Sequence, residues 1–114
     1  MNNETNQILL AVTLDEHKVP AQIHWKADDG PNAGTLQEVK AFLLSLYDGN
    51  GGDTLKIDLW TKEMQIHEMD RMIYFTLKGL SETYLKATNN KELATDIRRF
   101  GDYFAEKTQL NKSV

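Results

Sequence analysis

The chemistry that this sequence could support rests first on its three histidines, His17, His24 and His67. His67 is followed by Glu68, as in the helical zinc motif His-Glu-x-x-His, but Arg71 occupies the position of the second histidine. No two histidines have the spacing that places them on one face of a helix. The chain has no cysteine, which excludes thiolate nucleophiles, disulfides and cysteine-based metal sites. The sequence therefore predicts no metal site, no cofactor and no catalytic residue.

Acidic residues stand together in two predicted loops. Residues 48–53 begin like a calcium loop, with oxygen side chains at relative positions 1 and 3, but position 6 is not glycine and position 12 is Leu59. Asp28 and Asp29 are adjacent, and paired carboxylates perform acid–base chemistry when one of them is desolvated. We expect the acidic residues of both loops to be turn residues without a ligand. The alternative is a small-ligand site, or an enzyme active site, where Asp28, Asp29 and His24 converge.

Length and composition predict one globular domain. The chain has 114 residues, of which 40% are hydrophobic and 26% charged, so we expect a single domain over 1–114 with flexible tails at 1–5 and 111–114. Its net charge of −4 argues against nucleic acid and anionic membranes as partners. The apolar run at 8–12 is shorter than the roughly 7–15 residues of a signal peptide or the about 20 of a membrane span. We therefore expect a cytoplasmic protein without membrane insertion.

Two segments near the beginning of the chain alternate between apolar and polar residues. The alternation over 6–14 and again over 19–26 predicts two strands, and the polar residues between them predict a turn. Pro20 lacks an amide donor, which favours the start of a strand or a sheet edge at that position. The two segments together predict a β-hairpin.

The middle of the chain is expected to contain a helix and a third strand. Thr35 and Glu38 have the spacing of a capping box, and apolar residues follow at helical spacing up to Tyr47. The glycine-rich loop 48–53 ends this predicted helix. Residues 54–60 alternate again and predict a strand.

The last half of the chain has the periodicity of two helices. Apolar residues at helical spacing predict a long helix over 65–87 and a final helix over 91–109, with Asn89 and Glu92 as a second capping box. The final helix places Leu93, Ile97, Phe100 and Phe104 on one face, which we expect to be its buried face. The predicted order is ββαβαα, an α+β domain. We expect a three-stranded sheet in the order 2-1-3 with three helices on one face, because a β-helix-β connection prefers the right-handed path.

The face of the sheet opposite the predicted helices carries one large aromatic residue. Strand parity places Trp60 on this face, and a tryptophan among polar neighbours is typical of an interface anchor. The predicted partner-binding surface consists of Trp60, Lys56, Asp58 and His24, flanked by Asp28 and Asp29.

Three segments resemble the gliding-motility-associated GldC family. They are residues 23–30 (IHWKADDG), 57–64 (IDLWTKEM) and 102–107 (DYFAEK), and the similarity covers nearly the whole chain. The resemblance implies a small soluble protein associated with the motility machinery, with no established enzymatic activity and no catalytic residues to transfer. Together with the residues, it predicts a non-enzymatic protein that binds a protein partner, a component of the gliding machinery. The second alternative is a homodimer that uses the open sheet face or an unpaired edge strand.

Overall fold

The computed structural model describes residues 3–110 and has an α+β fold with five strands and two helices. The elements are β1 (Ile8–Leu14), β2 (Pro20–Ala27), β3 (Gln37–Val39), β4 (Ala41–Tyr47), β5 (Thr54–Trp60), α1 (Ile66–Thr88) and α2 (Lys91–Lys107). The chain divides into two compact units, Met1–Met64 with all of the strands and Gln65–Val114 with both helices. The α+β class is as predicted, whereas the order ββαβαα is wrong.

The first sheet contains three antiparallel strands in the order β1-β2-β3. Val12 of β1 lies opposite Ile23 of β2, and Val39 of β3 lies opposite Ile23 from the other side. This arrangement confirms the predicted β1–β2 hairpin. The predicted order 2-1-3 is wrong, because β3, which was expected to be helical, pairs with β2, while β5 belongs to a different sheet.

One face of this sheet forms the apolar centre of the strand unit. Ile23 is fully buried at 0% exposure, while Trp25 and its cross-strand neighbour Leu10 are half-buried on the same face. Successive side chains of a strand point to opposite faces, so His24 lies on the reverse face with Ala11 and Glu38. The predicted parity of β1 and β2 is therefore observed.

The turn between β1 and β2 is organised by the carboxylate of Asp15. This carboxylate accepts hydrogen bonds from the amides of His17 (2.8 Å) and Val19 (3.0 Å), and the Asp15 amide donates to the Val19 carbonyl (2.9 Å). Nζ of Lys62 lies 3.1 Å from its Oδ2. The Val19 amide, and after it Lys62, holds the pKa of the Asp15 carboxyl below its ordinary value of 3.8.

We expect the contribution of Asp15 to the stability of the strand unit to disappear in acid. A carboxyl whose pKa is lowered by folding stabilises the folded state above its unfolded pKa, and this contribution declines below about pH 4 as the pH falls towards the folded pKa. Urea unfolding should therefore show a larger deficit for Asp15→Asn at pH 7 than at pH 3. Lys62→Gln, which keeps the backbone hydrogen bonds, should reproduce part of this pattern. An equal Asp15→Asn deficit at both pH values would contradict the argument.

The second sheet is the antiparallel hairpin β4–β5, in which Leu44 lies opposite Ile57. The predicted strand 54–60 is confirmed as β5, but the predicted single sheet and the predicted helix over 36–47 are wrong. Residues 41–47 are apolar at nearly every position, so they satisfy a helical stripe and a strand equally well. Pairing with β5 decides between the two, and the predicted capping box at Thr35 and Glu38 begins no helix.

The second unit is a helical hairpin whose two helices were predicted close to their observed bounds. Asn89 adopts a left-handed conformation (φ 59°) and its amide donates to the Leu85 carbonyl (2.8 Å), which ends α1. The side chain of Asn90 accepts from the Leu93 amide (3.0 Å) and caps α2. The predicted cap at Asn89 is therefore wrong by one residue, and the described chain has two helices rather than three.

Small residues form the buried contact of the helical hairpin. The buried residues of the two helices are Ser81, Ala94, Gly101 and Ala105, and Oγ of Ser81 donates to the carbonyl of Ala94 at 2.6 Å. The apolar stripe that we expected to be buried on α2 includes Leu93 and Phe100, which are about half exposed. The buried face is displaced by one position because small side chains let two helix backbones approach closely.

The predictions for the chain ends and for the membrane have different outcomes. Residues 1–2 and 111–114 of the predicted tails lie outside the described residues, and residues 3–5 are exposed and have no regular structure. Across residues 3–110, neither helix combines the length and the apolar composition that crossing a membrane requires. The single domain over 1–114 stays a prediction.

Candidate functional site

A groove of about 460 Å³ lies in the strand unit, where the beginning of β2 approaches the end of β5. Its lining residues are Val19, Pro20, Asp58, Leu59, Trp60 and Lys62. Val19 ends the β1–β2 turn and Pro20 begins β2, whereas the last three residues of β5 and Lys62 after it supply the others. The groove is therefore built from two segments that are about forty residues apart in the sequence.

Trp60 is the largest side chain of this groove and is 52% exposed. It lies opposite Ala41 of β4, which has a small side chain. The next residue, Thr61, is buried, and its amide donates to the Lys40 carbonyl at 2.8 Å while its carbonyl accepts from the Met64 amide at 3.0 Å. These backbone contacts fix the end of β5 and, with it, the backbone position of Trp60.

Both charged side chains of the groove have ionic partners within the chain. Nζ of Lys56 lies 2.5 Å from Oδ2 of Asp58, and Nζ of Lys62 lies 3.1 Å from Oδ2 of Asp15. A charge that is already paired offers little net attraction to a charged ligand. The groove therefore presents an apolar surface, made by Trp60 and its aliphatic neighbours, with a rim that is close to neutral.

The structure brings together only part of the predicted partner-binding surface. Trp60, Asp58 and Lys56 share one face of β5, as strand parity predicts, although Lys56 does not line the groove. His24 lies four residues along β2 from Pro20, a distance of about 13 Å at 3.3 Å per residue. Asp28 follows the far end of β2, about 26 Å from Pro20 by the same measure.

The two adjacent aspartates hold a backbone amide of their own loop and that of Gln7, the residue before β1. Oδ2 of Asp28 accepts from the Gln7 amide (3.0 Å), and Oδ1 of Asp29 accepts from the Gly30 amide (2.8 Å). These contacts fit the expectation of turn residues. His24 is about 13 Å from Asp28 along the chain, so the structure does not bring the three side chains together. Among residues 3–110, no three His, Asp or Glu side chains are grouped so that they could hold a metal ion.

Four groove residues were missed by the reasoning from sequence: Val19, Pro20, Leu59 and Lys62. Pro20 could be singled out from the sequence, because proline lacks an amide donor and occurs in sheets at strand starts or edges. Nothing in the sequence, however, connects Pro20 to Trp60. Lys62 is paired with Asp15 across 47 residues, a separation at which no periodicity or local motif operates.

The fold and the groove define a small α+β protein with an apolar groove where the ends of β2 and β5 approach each other. The chain matches the family described as gliding motility-associated protein GldC-like over residues 20–110, and it belongs to this family. The match includes Pro20 and Trp60 of the groove and both helices, and it confirms the resemblance noted in the sequence. No curated protein and no solved structure shows significant similarity to the chain.

Proposed function

We propose that this chain is a non-enzymatic member of the GldC-like family that binds an apolar segment of a protein partner in the Trp60 groove, the partner being a component of the gliding machinery. The observation that carries the proposal is a half-exposed tryptophan in an apolar groove whose charged residues are already paired. Tryptophan is among the residues most enriched at the energetic centres of protein interfaces.

The lining of the groove favours a protein segment over a small metabolite. Small-molecule sites combine an apolar wall with a few convergent polar groups that fix the orientation of the ligand. Here the polar side chains of the lining are Asp58 and Lys62, and each is held by an ion pair of the chain itself. Trp60, Pro20 and Val19 instead offer an apolar surface against which an aliphatic or aromatic side chain of a partner packs.

Replacing Trp60 by alanine is expected to weaken partner binding at least about tenfold while the chain stays folded, since truncation of an anchoring tryptophan costs about 2 kcal/mol or more. The wild-type chain and Trp60→Ala would serve as baits in lysate of a gliding bacterium. The proteins captured by the wild type would then be purified, and their affinities for both baits measured.

The matched control is Phe75→Ala, which removes an aromatic side chain of nearly equal exposure from α1, outside the groove. It should capture the same protein as the wild type. Because the groove's charges are paired, affinity should change little between low and high salt. A protein that is captured equally by wild type and Trp60→Ala, or whose binding falls steeply with salt, would contradict the apolar groove as the binding site.

A further inference from the structure

The outer edge of β4 is a long strand edge without charged residues. Within residues 3–110, β4 pairs with β5 alone, and its sequence AFLLSLY contains neither charge nor proline. The Thr61 amide donates to the Lys40 carbonyl and the Asp48 amide to the Asp53 carbonyl, so the even-numbered positions direct their backbone groups towards β5. The backbone groups of the odd-numbered positions point outwards: Ala41, Leu43, Ser45 and Tyr47.

Such an edge is a template for another strand. Proteins usually protect edges with charge, proline or bulges, and β5 carries Lys56 and Asp58, whereas β4 has no such residue. A hairpin of two strands is also marginally stable by itself, and three or more strands with an apolar face are much more stable. The outer part of the apolar face of β4–β5 is open, with Leu46 48%, Leu55 56% and Ile57 39% exposed.

We propose that β4 pairs antiparallel with β4 of a second copy of this chain, around a two-fold axis at Leu44. This register aligns all seven residues of the strand and keeps the apolar faces of the two copies on the same side. It pairs Leu43 with Ser45 of the second copy and Ala41 with its Tyr47. These are the positions whose backbone groups point outwards, so about eight intermolecular hydrogen bonds form.

The ends of the strand fit a second copy of the same chain. In this register Lys40 lies opposite Asp48 of the second copy, and the two-fold axis repeats the pair at the other end. Like charges directly across two strands would oppose the pairing, and this register places none there. Between these ends Leu44 contacts Leu44 of the second copy, and Phe42 contacts Leu46. A strand that is uncharged throughout its length and has a leucine at its centre can pair with its own reverse without placing like charges opposite each other.

The edge of β1 is also uncharged but fits the same role less well. β1 belongs to a three-stranded sheet, whose stability depends less on the addition of a further strand than that of a two-stranded hairpin. Full-length pairing of β1 with a second copy would place Gln7 opposite Asp15, without complementary charge. The dimer is therefore assigned to β4.

Cysteine cross-linking tests this register, because the chain has no native cysteine. The two Leu44 positions would form a non-hydrogen-bonded pair with Cα atoms about 4.5 Å apart, within the range that a disulfide spans. Leu44→Cys should therefore give a covalent dimer under mild oxidation. Leu46→Cys is the control: it lies on the same strand and face and is more exposed, but its two copies would be about 13 Å apart and should not cross-link.

Light scattering across a concentration series measures the assembly without modification, and we expect a mass of two 13.0 kDa chains. Ser45→Pro removes an outward amide without a β4–β5 hydrogen bond and should give a monomer, whereas Ser45→Ala keeps the amide and the dimer. A wild-type monomer at all concentrations would overturn the proposal. Equal cross-linking of Leu44→Cys and Leu46→Cys would overturn it as well, and this result does not depend on whether Ser45→Pro folds.

Discussion

Replacing Ile23 by alanine is expected to lower the free energy of unfolding of the strand unit by about 2–5 kcal/mol. Ile23 is fully buried, and it lies between Val12 and Val39 in the central strand of the first sheet. Alanine would remove its aliphatic contacts and leave a cavity that neighbours on two strands cannot easily fill. The expected loss is a large part of the stability of a small unit, since it is the one large side chain at 0% exposure in the described part of that unit.

Urea unfolding followed by tryptophan fluorescence measures this effect, because Trp25 lies on the same strand and on the same face as Ile23. Ile8→Ala is the matched control. It makes the same chemical change in the neighbouring strand, but Ile8 is 76% exposed, so its effect should stay within about 0.5 kcal/mol. Similar losses for the two variants would mean that β2 does not contain the core of this unit.

Substitutions at Gly101 are expected to change the stability of the helical unit in opposite directions. A Cβ atom at this buried position of α2 would lie 3.5 Å from Cβ of Leu77, which is an ordinary van der Waals contact. Gly101→Ala should therefore stabilise the helix by about 0.5–1 kcal/mol, because alanine has the higher helix propensity. Gly101→Leu should destabilise by about 1–3 kcal/mol, since the space beyond Cβ is occupied by α1.

Thermal unfolding, followed by the circular dichroism signal of the helices, measures both the expected stabilisation and the expected destabilisation. Gly79 provides the control, because it lies within α1 and a Cβ there would meet nothing within 4 Å. Gly79→Ala should therefore stabilise α1 by an amount similar to that expected for Gly101→Ala. If Gly101→Leu were as stable as Gly101→Ala, the close contact between α1 and α2 at this point would not exist in solution.

The local sequence pattern is sufficient to predict those strands and helices in which apolar and polar residues recur with one fixed period. The β1–β2 hairpin, β5 and both helices follow from alternation or helical periodicity, because each period is imposed by the geometry of the element itself. The same alternation places Trp60 on the face of β5 that also carries Lys56 and Asp58. The family follows from short segments of sequence, and the match over residues 20–110 confirms it.

The segment 36–47 shows where local pattern is insufficient. Its apolar residues satisfy both periods, and Thr35 and Glu38 offer a helix start, so the sequence favours a helix. The structure contains β3 and β4 instead, because β2 and β5 provide strand edges with which this segment pairs. Propensity is a weak preference that hydrogen bonding between distant strands overrides. The number of helices, the strand order and the division into two sheets all depend on this one segment.

The sequence by itself determined the hairpin, the two helices, the family and the side of β5 on which Trp60 lies. Only the tertiary structure decided that Val19 and Pro20 meet Trp60, that Lys62 neutralises Asp15, and that small residues rather than Leu93 and Phe100 are buried between the helices. The physical reason is that periodicity records which residues share a face of one element. Burial and ion pairing depend on which elements meet, and that is fixed by contacts between residues far apart in the chain.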